Sequence, residues 1–177
     1  EIEDEFYVDL WEELSPQGRR LELKIRTIQD QDCRNYTIDY QFTRDVNRLR
    51  VSLERILEPE TCEDGQGPAT ADVDVGPMSA GFFDLNIALR NTFTNEGQLT
   101  VNSDRYHLNM DDPAGIILVH DDLRRVPTRA VWGYAHYPDP ADLVLAQQFL
   151  TDLSDVAGFL GLQDGYYGYF NYKNNNN

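Results

Sequence analysis

Three histidines, two cysteines and several paired aspartates are the side chains of this 177-residue chain that could hold a metal, attack a substrate or move protons. His107, His120 and His136 fall on or beside expected strands, and His120 is followed by Asp121-Asp122, a set able to ligate Zn²⁺ if the strands converged. The H-x-H and H-E-x-x-H spacings are missing, and His107 alternates out of the Tyr106 and Leu108 face. The reading is therefore ordinary solvated histidines and no metal centre. Acidic pairs stand at Asp72 and Asp74, at Asp111-Asp112 and at Asp121-Asp122. Calcium needs six to eight oxygens, and Asp111 and Asp112, ahead of a flexible Pro-Ala-Gly turn, are the weak candidates, but the EF-hand spacing is absent. Any two of 31 acids could form the carboxylate pair of a hydrolase, yet the sequence selects no pair and carries no G-x-S-x-G. No enzyme and no cofactor are expected.

Cys33 and Cys62 lie at the open end of one expected hairpin, so a disulfide between them is the economical reading and an oxidising compartment its consequence; two free buried thiols are the alternative. The most suggestive surface is aromatic. Trp132, Tyr134, Tyr137, Tyr166, Tyr167, Tyr169, Phe170 and Tyr172 crowd two short stretches near the C-terminus. Exposed rings beside carboxylates can stack on sugars or anchor a protein, which makes Trp132, Tyr134, Tyr167 and Tyr169 candidate ligand-binding residues. The bland reading is that these rings cement the tail to the rest of the chain.

The elements that must position these residues read mostly as strands. Phe83, Leu85, Ile87 and Leu89 alternate with polar neighbours, and pairing Leu89 with Leu99 and Ile87 with Val101 would leave Thr92 to Glu96 as the loop and Gly97 free for a positive φ. Val101 opposite Tyr106 and Leu99 opposite Leu108 complete a meander. Residues 1 to 14 prefer a strand, and Leu21, Leu23 and Ile25 make another. Tyr36 to Phe42 and Leu49 to Leu53 form a hairpin pairing Phe42 with Leu49, with a bulge near Glu54-Arg55. Short strands follow at Ala71 to Val75 and Ile116 to Val119. This pattern predicts a mainly β fold, a two-sheet sandwich of immunoglobulin-like type over residues 1–126, although the Cys-Trp-Cys pattern of true immunoglobulins is missing. A β-α-β element is expected over 127–172, packed on the sandwich, with a frayed tail at 173–177. Its first strand is Val131 to Tyr137. Its long helix is capped by Asp139, starts at Pro140 and carries a buried stripe through Leu143, Ala146, Leu150 and Leu153; its last strand is Tyr166 to Tyr172.

Charge narrows the partners. Fifteen basic against 31 acidic residues give a formal net charge of -16, which repels phosphate backbones and argues against nucleic acid. Only Lys24 and Lys173 are lysines, a skew seen where a dense carboxylate surface works in salt, or where codon bias favours arginine. No apolar run is long enough to span a membrane, so the mature chain is expected not to insert.

Gly81-Phe82-Phe83-Asp84-Leu85-Asn86-Ile87, preceded by Gly67-Pro68-Ala69-Thr70-Ala71 and followed by Leu99-Thr100-Val101, resembles a pattern in uncharacterised exported or lipid-anchored surface proteins of Gram-negative bacteria. There the strand belongs to an immunoglobulin-like domain; Phe83 stands where a tyrosine is usual. The resemblance covers residues 62 to 110 best. It implies an exported protein and brings no catalytic residue. The expectation is a non-catalytic extracellular or cell-envelope module, its partner a glycan or a surface protein, with glycan binding through the aromatic tail and a hydrolase as the alternatives.

Overall fold

The computed structural model describes residues 5–90, 92–133, 136–158 and 160–174. Ten strands lie in one mixed sheet: β1 Phe6–Ser15, β2 Gly18–Cys33, β3 Thr37–Asp45, β4 Arg48–Leu57, β5 Asp64–Gly76, β6 Gly81–Leu89, β7 Phe93–Val101, β8 Arg105–Met110, β9 Ile116–Leu118 and β10 Asp122–Arg124. Their order across the sheet is β10-β8-β7-β6-β4-β3-β5-β2-β1-β9.

The sheet curls until its two edges meet. β9 pairs in parallel with β1 and β10 pairs antiparallel with β8, yet the two are separated in the chain only by Val119, His120 and Asp121. Val119 N donates to Val8 O at 2.8 Å, and Leu108 N donates to Asp121 O at 2.8 Å, so one short segment satisfies both edges. These pairings shorten the exposed edges, covering Phe6–Val8 of β1 and Arg105–His107 of β8. This is one continuous curled sheet where two stacked sheets were expected. Alternation tells which face a residue occupies, but not which strands are neighbours, and the parallel pairs β1–β9, β3–β5 and β4–β6 leave no local signature.

Inward side chains from both halves of the curl form one core. Val8, Leu10, Leu23, Val51, Val73, Leu85, Ile87, Leu99 and Leu108 are all but inaccessible, and the alternation predicted for β1, β2 and β6 to β8 holds. Registers differ in two places. Phe42 faces Val51 instead of Leu49, two residues from expectation, and Glu54 is the extra residue of the bulge between the Tyr40–Leu53 and Asp39–Arg55 pairs. Leu89 faces Phe93 instead of Leu99, six residues from expectation, so most of the supposed loop is strand. Asn95 hid it. This buried amide occupies an inward position and is satisfied by Ala114, accepting from its N–H at 2.7 Å and donating to its carbonyl at 3.0 Å. Gly97 is required by close approach and not by a positive φ, because a Cβ there would meet Asn109 O at 2.6 Å. The β7–β8 register agrees with the predicted pairs, Val101 with Tyr106 and Leu99 with Leu108.

The C-terminal part departs further. Val131, Trp132, Gly133, His136 and Tyr137 form no strand, and Tyr134 lies outside the described residues. The helix begins as predicted, with Asp139 accepting from Ala141 N at 2.8 Å, a 3-10 turn at Pro140–Asp142, and then α1, Leu143–Val156. The supposed last strand is a hairpin, β11 Gly165–Tyr166 against β12 Asn171–Tyr172, turning through Tyr167 to Phe170. Gly168 takes φ +80 in that turn, a conformation costly for other residues. The element is therefore loop, helix and hairpin, not β-α-β. Among the described residues, no helix is long and apolar enough to cross a membrane.

Candidate functional site

Strand β1 sends its side chains alternately in and out, and this parity organises both polar clusters at the closing seam. Outward come Tyr7, Asp9 and Trp11. Asp9 lies against His120, whose Nδ1 is 3.1 Å from both carboxylate oxygens, and Tyr166 donates its hydroxyl to Asp9 Oδ2 at 3.3 Å. The Tyr166 ring stacks on the His120 ring at 3.7 Å between centroids. Burial, then the neighbouring Asp9 charge, pushes the Tyr166 hydroxyl up to about 12. A carboxylate that orients an imidazole is a general-base geometry; here the same contacts pin the β11–β12 hairpin across the seam.

Trp11 receives the turn of that hairpin. Its ring meets Tyr169 at 4.5 Å and the face of Gly168, where a Cβ would stand 3.3 Å from Trp11 Cε3. The Tyr169 hydroxyl accepts from Leu14 N at 3.1 Å. Trp132 packs on Tyr169 and Phe170 at 5.0 and 5.2 Å, and remains 44 % exposed. Tyr167 is buried at 4 %, stacked on Phe170, its hydroxyl donating to Gln163 O. Of the four aromatic candidates, then, Trp132 and Tyr169 share one cluster on Trp11, Tyr167 turns away beneath it, and Tyr134 is outside the described residues.

Inward, the series Phe6, Val8, Leu10 continues to Glu12, a carboxylate 2 % exposed. Oε1 accepts from the Tyr106 hydroxyl at 2.9 Å and from Arg125 Nε at 2.8 Å, and Oε2 accepts from Arg19 Nη1 at 3.1 Å. Arg125 also covers the Tyr106 ring, 4.8 Å from its centroid. A buried carboxylate is tolerable only when paired and hydrogen-bonded on both oxygens, as here. Burial, with the Glu12 charge beside it, drives the Tyr106 hydroxyl strongly upward. This cluster ties β1 to β8 where the sheet closes.

Cys33 and Cys62 form the predicted disulfide, their Cα atoms 5.4 Å apart, joining the end of β2 to the segment leading into β5. The bond places folding in an oxidising, non-cytoplasmic setting. Asp111 and Asp112 are exposed at the turn after β8. The histidines occupy separate settings: His120 with Asp9, His136 exposed before the helix, and His107 across the β8–β10 pair from Asp122.

Two outer surfaces stand out. On the outside of β3, β4, β6, β7 and β8 an open depression of about 630 Å³ is lined by Arg48, Arg50, Asp84, Asn86, Gln98 and Asn109. No ion pair among the described residues engages Arg48 or Arg50. The other surface is α1. Its apolar stripe falls where the 3.6-residue period predicts, but none of its residues is buried. Phe149 is 58 % and Val156 83 % exposed, with Leu145, Leu150, Leu153 and Leu160 also open.

Sequence reasoning passed over Trp11, Asp9 and Glu12, although extending the parity of Phe6, Val8 and Leu10 by one step marks Glu12 as inward. No protein-family model, no curated protein and no solved structure matches this chain.

Proposed function

We propose that the chain is a non-catalytic module of the cell exterior or envelope that docks a partner protein through the helix Leu143–Val156. The observation that carries this reading is the uncovered stripe. At 100° per residue, Leu145, Phe149, Leu150, Leu153 and Val156 share one side, and Gln147, Gln148, Thr151 and Asp155 the other. Among the described residues, eight large apolar side chains from Leu143 to Leu160 are each at least 36 % exposed. Taking roughly 100 Å² per fully exposed side chain, the five residues of the stripe turn about 300 Å² of apolar area to water, under half of one partner's share of an ordinary protein interface. An isolated helix of this length is marginal in water, so covering the stripe stabilises the helix as well as the complex.

Charge selects the kind of partner. The helix and its cap carry Asp139, Asp142, Asp152 and Asp155 and no cation. An anionic membrane repels such a helix, whereas an apolar groove rimmed by lysine or arginine complements it. The disulfide supports the location outside the cytoplasm. Kinship with exported immunoglobulin-like proteins, suggested by the sequence pattern Gly81 to Ile87, belongs to the same reading; the single curled sheet is where the chain departs from a two-sheet sandwich.

The test is a photo-crosslinking residue placed at Leu145 or Phe149 in the protein as made by its own cells. A discrete adduct is expected from these positions and none from Gln148. Equal labelling from both faces, or a smear from either, overturns the reading.

A second reading, glycan binding, is favoured by the depression around Arg48 and Arg50 more than by the aromatic tail, whose rings are engaged on Trp11. Amides, carboxylates and unpaired guanidinium groups on a flat strand surface suit a polyhydroxylated ligand. Glycans retained by the wild type and lost with Arg50→Ala support it, and a glycan array without retained ligand removes it.

A further inference from the structure

The β8–β10 pairing brings together three side chains far apart in sequence, and we propose that His107, Asp121 and Asp122 form a divalent-cation site that staples the closing seam, with a first-row ion of the Zn²⁺ type as its occupant. The donor atoms of the three side chains lie within 4.8 Å of one another. His107 and Asp122 are directly opposite in the antiparallel register, and Leu108 N holds the Asp121 carbonyl at 2.8 Å, so the backbone positions of all three are set by paired strands.

The state of His107 Nδ1 is what points to an ion. This atom is buried, although the His107 side chain as a whole is 39 % exposed, and it makes no hydrogen bond among the described residues. Asp122 Oδ1 is only 3.2 Å away, yet the two are misaligned for a hydrogen bond. Two donors side by side at this distance are what a shared ion produces. Zn–N and Zn–O bonds of about 2.0 to 2.2 Å at a tetrahedral angle set adjacent donors roughly 3.3 Å apart. The Asp121 carboxylate, exposed and within 4.8 Å of the other two donors, supplies the third ligand of the proposed site.

The donor set narrows the ion. One imidazole with two carboxylates is harder than the thiolate sets of structural zinc and softer than the all-oxygen shells of Ca²⁺ and Mg²⁺, which suits Zn²⁺, Mn²⁺ or Co²⁺. Arg105 Nη1 stands 3.4 Å from Asp122 Oδ1, a cation beside the site. It does not replace the ion, because among the described residues no ion pair joins it to the Asp121 carboxylate; its place is that of an outer donor that orients the Asp122 carboxylate.

The experiment uses the full chain, stripped with EDTA and titrated calorimetrically with ZnCl₂ in excess Mg²⁺, which occupies non-specific carboxylates. One equivalent is expected to bind and to raise the unfolding midpoint. His107→Ala and Asp122→Asn should each weaken binding at least tenfold, while His120→Ala, outside the set, leaves it unchanged. ¹⁵N spectra of the wild-type imidazoles supply a readout that needs no variant: the His107 Nδ1 resonance should move on adding Zn²⁺ and that of His120 should not. Absence of stoichiometric binding, equal affinity in both ligand variants, or an unmoved His107 Nδ1 resonance each overturns the proposal.

Discussion

Replacing Glu12 by alanine should be among the most damaging single changes to this chain. The carboxylate is 2 % exposed and accepts from three donors, Tyr106, Arg125 and Arg19, at 2.8 to 3.1 Å. Deleting it strands the Arg125 guanidinium, whose side chain is 15 % exposed, and a fully buried tyrosine hydroxyl. Arg19, at 23 %, can turn to water. Removing one partner of a buried pair costs about 3 to 5 kcal/mol, against a total stability of about 5 to 15 kcal/mol for a domain. Glu12→Gln keeps an acceptor and the shape but loses the charge, and should cost about 1.5 to 3 kcal/mol. Urea unfolding followed by the fluorescence of Trp11 and Trp132 measures both, and the slope with denaturant should stay unchanged. The triple change Glu12→Leu, Tyr106→Phe, Arg125→Met removes donors and acceptor together and should recover at least half of the loss. A Glu12→Ala protein within about 1 kcal/mol of wild type, or a triple variant worse than the single, refutes the claim that this cluster locks the seam.

The Cys33–Cys62 bridge closes a separation of 29 residues, so Cys33→Ser should lower stability by about 3 to 4 kcal/mol on the loop-entropy argument. Mass spectrometry of unreduced protein should show the linked peptide pair first; two alkylatable thiols would contradict the structure. Stability should also fall in alkali through Tyr166. Its folded pKa, raised to about 12 by burial and then by Asp9, exceeds the ordinary value of 10, so its contribution is complete below pH 10 and is lost as pH rises toward 12. The two-unit gap sets a ceiling of about 2.7 kcal/mol, and partial exposure of the ring reduces the expected loss to about 1 kcal/mol. Tyr106 and Tyr167 are raised in the same direction, so the test is the difference between wild type and Tyr166→Phe across that window, and parallel curves would remove the Asp9 contact from the account.

What could be read from the chain followed from parity, and what could not depended on neighbours. The two misplaced registers, Phe42 to Val51 and Leu89 to Phe93, are off by even numbers, and an even slip leaves every side chain on its own face. Inward and outward sets were therefore right even where the partners were wrong. The slip at β7 arose because Asn95 and Gly97, one a satisfied buried amide and one a glycine in contact with β8, carry no hydrophobic signal. The proposed metal set is of the second kind: His107 and Asp122 meet only because β10 returns to β8, and no spacing along the chain encodes that return. The helix lies between. Asp139 and Pro140 announce its start, and its 3.6-residue stripe announces an apolar face, but a stripe states only that something must cover it. The sheet packs most of its large apolar side chains into its interior, the outward ring of Trp11 is taken up by the β11–β12 hairpin, and no residue of α1 is buried. A partner of the proposed kind would have to bring both an apolar groove for α1 and the positive charge that the helix and its cap lack.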